Sequence, residues 1–342
     1  MIRARQLPWD GIGIGVAGIA TLILLPRFAP IYVQLQFALY FAFAILALSL
    51  AFVWGYVGVF SFGQAAFFGL GGYTYAIVAI NMGESTLAVV AALAVPTLFA
   101  ALLGYFMFYG RLNTVYLAVI TLVVTLLFYK FLGHTAGFEY RIGQAALGGY
   151  NGIPAIPPLN LPWNVDYFAT PEDMFYISGI CLLGTYFGLR WLLSTRFGRV
   201  CVGIRENELR IGLLGYDVRL FKTAAFTIAA LVAALGGIVF TNWNSFIDPH
   251  VFDLGTSVQV IIWVVVGGLG TLMGPVLGAI ALGLLTVRLG TQQTFDVNLI
   301  LGVILTVFVL LVPQRQGIVP ALRHLVSGRD PTRHRLDERN PR

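Results

Sequence analysis

The apolar residues of this chain are gathered into long, nearly uninterrupted blocks, and that arrangement limits the fold more than any other feature. The blocks lie near 10–27, 35–53, 64–81, 87–109, 115–133, 174–194, 223–243, 257–270, 272–289 and 297–313. All but the 14-residue block 257–270 approach the ~20 residues an α-helix needs to cross hydrocarbon; 257–289 could also form one long helix, but Gly267, Gly268, Gly270, Gly274 and Pro275 argue for a break. None alternates with a period of two, as the ~10-residue strands of a membrane barrel would. Lipid offers the backbone no hydrogen-bond partner, so such blocks are read as helices. Only 11% of the 342 residues are charged, against about 25% in a soluble chain. The predicted fold class is therefore an all-α integral membrane protein, a polytopic bundle of about ten transmembrane helices.

Charge sets the expected orientation. Arginines crowd into 195–222 (Arg196, Arg199, Arg205, Arg210, Arg219, with Lys222) and into the segment beyond Pro313. Basic loops stay on the cytoplasmic side. Ten crossings then put about 17 of the basic residues inside and four outside, namely Arg27, Lys130, Arg141 and Arg288. Both termini are expected in the cytoplasm, and 134–173 becomes the main external loop, able to dip back toward the membrane. Residues 1–326 read as the transmembrane domain and 327–342 as a polar, disordered tail. Arg3 and Arg5 precede an apolar run that ends at Pro26 without a small-residue cleavage site, so a retained first helix is expected. The net charge of +6 fits this membrane orientation and no nucleic acid. Cys181 lies in an apolar block and Cys201 in a basic loop, so neither a disulfide nor a metal site is expected of them.

Two glycine-rich junctions interrupt the pattern. One runs from Gly55 and Gly58 through Gly63, Gly69, Gly71 and Gly72; the other runs from Gly267, Gly268 and Gly270 to Gly274 and Gly278. Interrupted spans in corresponding halves point to a transport site near midplane. Polar residues in or beside spans face the bundle interior or a watery cavity. The candidate path residues are Ser61, Gln64, Tyr73, Thr74, Thr121, Thr125, Asn242 and Gln259, with Gly267, Gly268 and Gly270. Gly270, Gly274 and Gly278 are expected on one helix ridge, open to a close neighbour. A G-x-G-x-x-G match at Gly13–Gly18 lies inside an apolar block with no strand before it; helix packing is expected there, not a dinucleotide.

The loop 195–222 holds the pattern of a docking helix. Glu206 and Arg210 are spaced i,i+4 in the favourable order. Leu209 and Leu213 form one apolar stripe, and Gly215 suits a C-terminal cap. The chain lacks a G-x-x-x-x-G-K-[ST] loop, so it is not expected to cradle ATP itself. No convergent cluster of Asp, Glu or His suggests a membrane enzyme. The Asp and Glu residues fall near block ends or in loops, which argues against proton-coupled transport. A mere scaffold would not need glycine-broken spans.

These residues carry a resemblance. Trp54-Gly55-Tyr56 through Tyr73, Asn151-Gly152-Ile153-Pro154 with Pro157-Pro158, Gly198 through Lys222, and Val265 through Ala279 resemble the permeases of branched-chain amino acid ATP-binding-cassette importers, the M-type subunit in particular. Gln64 stands where many members carry His, and with Trp54-Gly55-Tyr56 it also resembles the urea and short-chain amide branch. The resemblance implies a second, H-type permease subunit, two cytoplasmic ATPase subunits and an extracytoplasmic solute-binding protein. It implies a bacterial inner-membrane location, with ATP and Mg held by the partners and no cofactor in this chain. It also implies that Arg205, Glu206, Asn207, Glu208, Arg210, Gly212 and Gly215 couple the permease to the ATPases.

Overall fold

A computed structural model describes residues 8–137, 139–161, 164–290 and 302–303. The order is α1 (Pro8–Phe28), α2 (Ile31–Val57), α3 (Gln64–Met82), α4 (Ser85–Tyr109), α5 (Thr114–Gly133), strands β1 (Arg141–Ile142), β2 (Ala145–Ala146), β3 (Asn160–Leu161) and β4 (Asn164–Phe168), then α6 (Pro171–Ser194), α7 (Arg196–Glu206), α8 (Glu208–Leu213), α9 (Val218–Asn244), α10 (Leu254–Gly267) and α11 (Met273–Gly290). Among the described residues, α2, α3, α4, α5, α6 and α9 are long and apolar enough to cross a bilayer, and shorter apolar stretches occupy Gly13–Phe28, Leu254–Gly267 and Met273–Arg288. The first nine predicted blocks each coincide with one of these helices. The tenth, 297–313, and the tail 327–342 fall outside the described residues apart from Gly302 and Val303.

The ends of the helices follow from local chemistry. Thr170 and Asp173 form a capping box at the start of α6, with Pro171 in its first turn, and this satisfies otherwise orphaned amides. The side chains of Asn113, Asp217 and Asp253 accept from first-turn amides and so cap α5, α9 and α10. Gly58 and Gly83 end α2 and α3 in the left-handed conformation that glycine adopts without a Cβ penalty.

The interior is built around α2. Ala42, Ala44, Ile45, Leu46, Ala47 and Leu48 are all fully buried, so consecutive positions on every side of the helix lack solvent. A helix apolar all round belongs at a core. Helices α3, α9, α10, α11 and α6 pack on it. By contrast, Val115, Val119, Val123, Leu127 and Phe131 of α5 form an exposed apolar stripe at a four-residue spacing, the surface expected against lipid or a second transmembrane subunit.

Small residues set the distances between helices. Gly71 and Gly72 on α3 face Ala234, Gly237 and Thr241 on α9. Gly15 and Gly18 on α1 lie against Phe187 and Leu183 on α6, so the G-x-G-x-x-G match is a packing surface. The ridge expected of three glycines is corrected: Gly274 and Gly278 back onto Gly267 and Trp263 of α10, but Gly270, at φ +86, lies in the break before α11.

The segment 134–173 corrects the purely helical expectation in detail. It forms two short antiparallel hairpins, β1–β2 and β3–β4. Gly143, at φ +64, occupies the first position of a two-residue turn, where glycine is favoured. Asn81 of α3 holds this turn through Ile142 O and Gln144 N. Ser85 of α4 and Asn160 bond to each other through backbone and side chain. Ile153 pairs with Ile247 beyond α9, and Tyr75 donates to Pro157 O. The loop is thus fastened to one end of the bundle, while α7 and α8 lie at the other.

Candidate functional site

The first glycine junction is a break inside the bundle. After Val57 the chain runs without helix through Gly58–Gly63, and α3 begins at Gln64. Ser49, eight residues before the end of α2, donates to Gln64 Oε1 at 3.1 Å. At 1.5 Å per residue, α3 starts about 12 Å back along α2 from its tip. The non-helical segment therefore returns into the interior.

Backbone groups at such depth need protein partners, and α5 supplies them. Phe62 N donates to Thr121 Oγ1 at 3.2 Å, and Thr125 Oγ1 reaches Phe62 O at 3.5 Å. Gly63 N donates to Ser61 Oγ at 3.0 Å. Ser61, Gln64, Thr121 and Thr125 are all buried. Four of the sequence candidates thus come together at one break, and Gln64 Nε2 is left without a partner there. Ser49 was missed by sequence reasoning, although it is the one hydroxyl in its block apart from Tyr40. Thr121→Val keeps the shape but removes the acceptor for Phe62 N. A loss of about 1–3 kcal/mol is expected for an amide left buried and unpaired, read as a lowered melting temperature in detergent. Thr125→Val should cost less, because its bond is at the limit of length.

The other polar candidates do not join this cluster. Tyr73 packs at a tilt against Phe252, ring centroids 5.6 Å apart. Asn242 donates to Ile238 O within its own helix at 2.9 Å. Both sit toward the hairpin end, with Tyr75 and Ile247, and each retains an unpartnered buried polar atom, the Tyr73 hydroxyl and Asn242 Oδ1. Thr74 and Gln259 are half-buried on α3 and α10.

The second junction meets the first. Helix α10 stops at Gly267; Gly268 and Gly270 take φ +115 and +86, and α11 starts at Met273. A Cβ added to Gly55 would stand 3.0 Å from Gly270 N, so the two breaks touch where α2 and α10 end. Arg205, from the last turn of α7, enters the same place. Its Nη1 donates to Gly55 O, its stem lies against Gly58, and its Nη2 pairs with Glu206 at 2.7 Å.

The continuous helix expected around Glu206 and Arg210 is corrected. Asn207 breaks it, and the Asn207 side chain accepts from Arg210 N at 2.9 Å to start α8. Glu206 and Arg210 therefore stand on different helices, and Glu208 pairs with Lys222 of α9 at 2.6 Å. Val200, Ile204 and Val218, with Ile211 and Phe221, form a small separate core that holds α7 and α8 to α9. Cys201 is buried beside it, and burial pushes its thiol up to about 12. Gly203 makes room for Ile211, and Gly215 takes φ +88 after the last turn. Gly212 has open space around it, and Arg210 is exposed. Leu209, Leu213 and Leu214 are 81%, 89% and 67% exposed, so α8 presents a bare apolar face.

Comparison with known proteins adds the family. The model for the branched-chain amino acid transport system / permease component matches residues 33–312. The high-affinity branched-chain amino acid transport system permease protein LivM of Escherichia coli K12 is 28% identical over 306 residues, covering 82% of this chain and 68% of that protein. The probable branched-chain amino acid transport permease protein LivM of Methanocaldococcus jannaschii is 25% identical over 321 residues, 79% of this chain and 84% of the relative. The ribose import permease protein RbsC of E. coli K12 is 30% identical over 225 residues, 63% and 64% of the two chains. No solved structure matches the chain. A multi-pass helical bundle with glycine-broken spans, matched to one family model over most of its length, belongs to the branched-chain amino acid transport system permease family.

Proposed function

We propose that the chain lines the translocation path of an importer for branched-chain amino acids. The match over residues 33–312 carries this reading, and the similarity to the two LivM permeases supports the substrate class. The chain works beside a second, H-type permease subunit, above two cytoplasmic ATPase subunits that hold ATP and Mg, and below an extracytoplasmic solute-binding protein. It resides in a bacterial inner membrane with ten crossings and both termini cytoplasmic.

Residues 195–222 face the ATPases, and the hairpins of 134–173 face the solute-binding protein. Ser61, Gln64, Thr121 and Thr125 form a polar belt beside the path at the first break. Tyr73, Thr74 and Asn242 lie further along it, and Gln259 with Gly267, Gly268 and Gly270 borders the second break. Closure of the ATPases rocks the helices between outward- and inward-open arrangements. No bond in the solute is made or broken by this chain.

The test is reconstitution of the complete transporter in proteoliposomes. ATP-dependent accumulation of labelled leucine, absent when the solute-binding protein is omitted, is the expected result. Accumulation of urea or acetamide without leucine would transfer the same role to the short-chain amide branch.

A further inference from the structure

Helix α1 leans on α6 through small residues. A Cβ on Gly179 of α6 would overlap the Leu22 side chain, and one on Gly18 of α1 would overlap Leu183. Gly15 lies against Phe187, so the two helices run antiparallel, and Arg190 of α6 falls toward the start of α1. A cavity of about 320 Å³ remains between α1, α2, α6 and α11, with Ala17, Thr21, Phe41, Leu182, Val276 and Leu277 in its lining. Among the described lining residues only Thr21 and Tyr186 carry polar side chains, and the Thr21 hydroxyl is spent on Ala17 O at 2.8 Å. The charged groups of an amino acid would find no partners there. An apolar cavity about half this size holds a benzene ring, so roughly a dozen carbon atoms fit. Ala17, Thr21 and Leu277 are exposed, and they form a mouth at the surface of the bundle.

The end of this cavity nearest α7 is polar. Tyr186 lies there, and Arg190 follows it on the same face of α6, about 6 Å further along the axis. Arg190 is half-buried, and no carboxylate pairs with it among the described residues. The Tyr56 hydroxyl, in the last turn of α2, is buried without a hydrogen-bond partner. Tyr186, Arg190 and Arg205 all lie within electrostatic reach of it, but Arg205 is already engaged by Gly55 O and Glu206. Trp191 is 69% exposed, as suits a ring at the level of lipid headgroups. An apolar slot therefore ends, at headgroup depth, beside a cation without a counter-ion and a hydroxyl without an acceptor.

We propose that this is a binding site for one anionic phospholipid, with an acyl chain in the cavity and the phosphate on Arg190 and the Tyr56 hydroxyl. Basic pockets between spans on the cytoplasmic side receive such headgroups, and the orientation proposed above puts Arg190 on that side. The site is independent of the solute carried. The lipid fills the seam that α1 leaves open and ties α1 to α2 and α11.

The experiment adds phosphatidylglycerol or phosphatidylcholine to the full chain in detergent and counts bound lipid by native mass spectrometry. A bond from a cation to the phosphate favours phosphatidylglycerol by at least about tenfold. Arg190→Gln removes that preference, whereas Arg111→Gln, the same change in the loop between α4 and α5, retains it. Ala17→Phe fills the mouth and lowers retention of both lipids. In the complete transporter, reconstituted in vesicles containing phosphatidylglycerol, p-benzoylphenylalanine in place of Leu277 gives a lipid adduct on irradiation.

Equal retention of the two lipids by the unmutated chain overturns the proposal, and so does an unaltered preference in Arg190→Gln. An adduct with residues 297–313 or with the second permease subunit, in place of lipid, also overturns it, because protein would then cover the cavity. If Arg190→Gln does not accumulate, Ala17→Phe and the adduct decide.

Discussion

Gly237→Ala should prevent the bundle from forming, so that the variant fails to accumulate as a monodisperse species in detergent. An added Cβ at Gly237 would fall on the carbonyl oxygen of Phe68 and close to Gly72 N. Both are backbone atoms of α3, so no rotamer change relieves the overlap. Helix α3 would have to move as a body. It cannot do so cheaply, because Gly71 faces Ala234 O in the same contact, and Gly236, one residue earlier on α9, faces Ala42 O of α2. Overpacking a core costs about 1–3 kcal/mol when side chains can shift; a clash with fixed backbone belongs to the rarer class above about 4 kcal/mol. Gly184→Ala is the control. Its Cβ meets nothing within 4 Å, and Ala is the better helix former by up to about 1 kcal/mol. Equal melting temperatures for the two variants would show that α3 and α9 do not cross at Gly237.

The sequence exposes the parts of this fold that depend on composition along the chain. Apolar blocks locate α1 to α6 and α9 to α11, because lipid penalises a charge wherever it falls. The break between α10 and α11 is legible, because Gly267, Gly268, Gly270 and Pro275 together leave the chain little reason to stay helical. Thr121 and Thr125 stand out as hydroxyls one turn apart in an apolar block, and the structure gives both to Phe62.

Other features depend on what lies opposite. Glu206 and Arg210 have the spacing of a helical pair, but the carboxamide of Asn207 competes for the backbone and starts a new helix, as this residue type tends to do. Gly270 has the spacing of a ridge with Gly274 and Gly278, yet its left-handed backbone places it in the turn. Nothing local to Arg205 says that it points inward, since its acceptor lies at the end of α2. Tyr73 and Asn242 are polar residues in spans like Gln64, but their depth along the helices separates them, and spacing alone carries no depth.

The exposed face of α8 supports the largest expected functional effect. Leu209→Asp with Leu213→Asp should abolish ATP-driven uptake while leaving the permease folded. The two leucines are four residues apart on one face and are 81% and 89% exposed, and no residue of α8 is buried. The fold therefore gains almost nothing from them. Fully burying a leucine is worth about 1.5–3 kcal/mol, and a partner that covers both would lose about 3–6 kcal/mol. At 1.4 kcal/mol per factor of ten, affinity for the ATPase subunits should drop by at least about a hundredfold. The carboxylates also resist burial in any apolar groove that receives them. Co-purification of the ATPases should fail, with the melting temperature of the permease alone unchanged. A Leu213→Cys variant gives the complementary reading: an aqueous maleimide should label it rapidly in the isolated permease and slowly in the assembled transporter. Equal labelling in both states, or normal uptake by the double aspartate variant, would remove α8 from the contact and leave its bare leucines to some other surface.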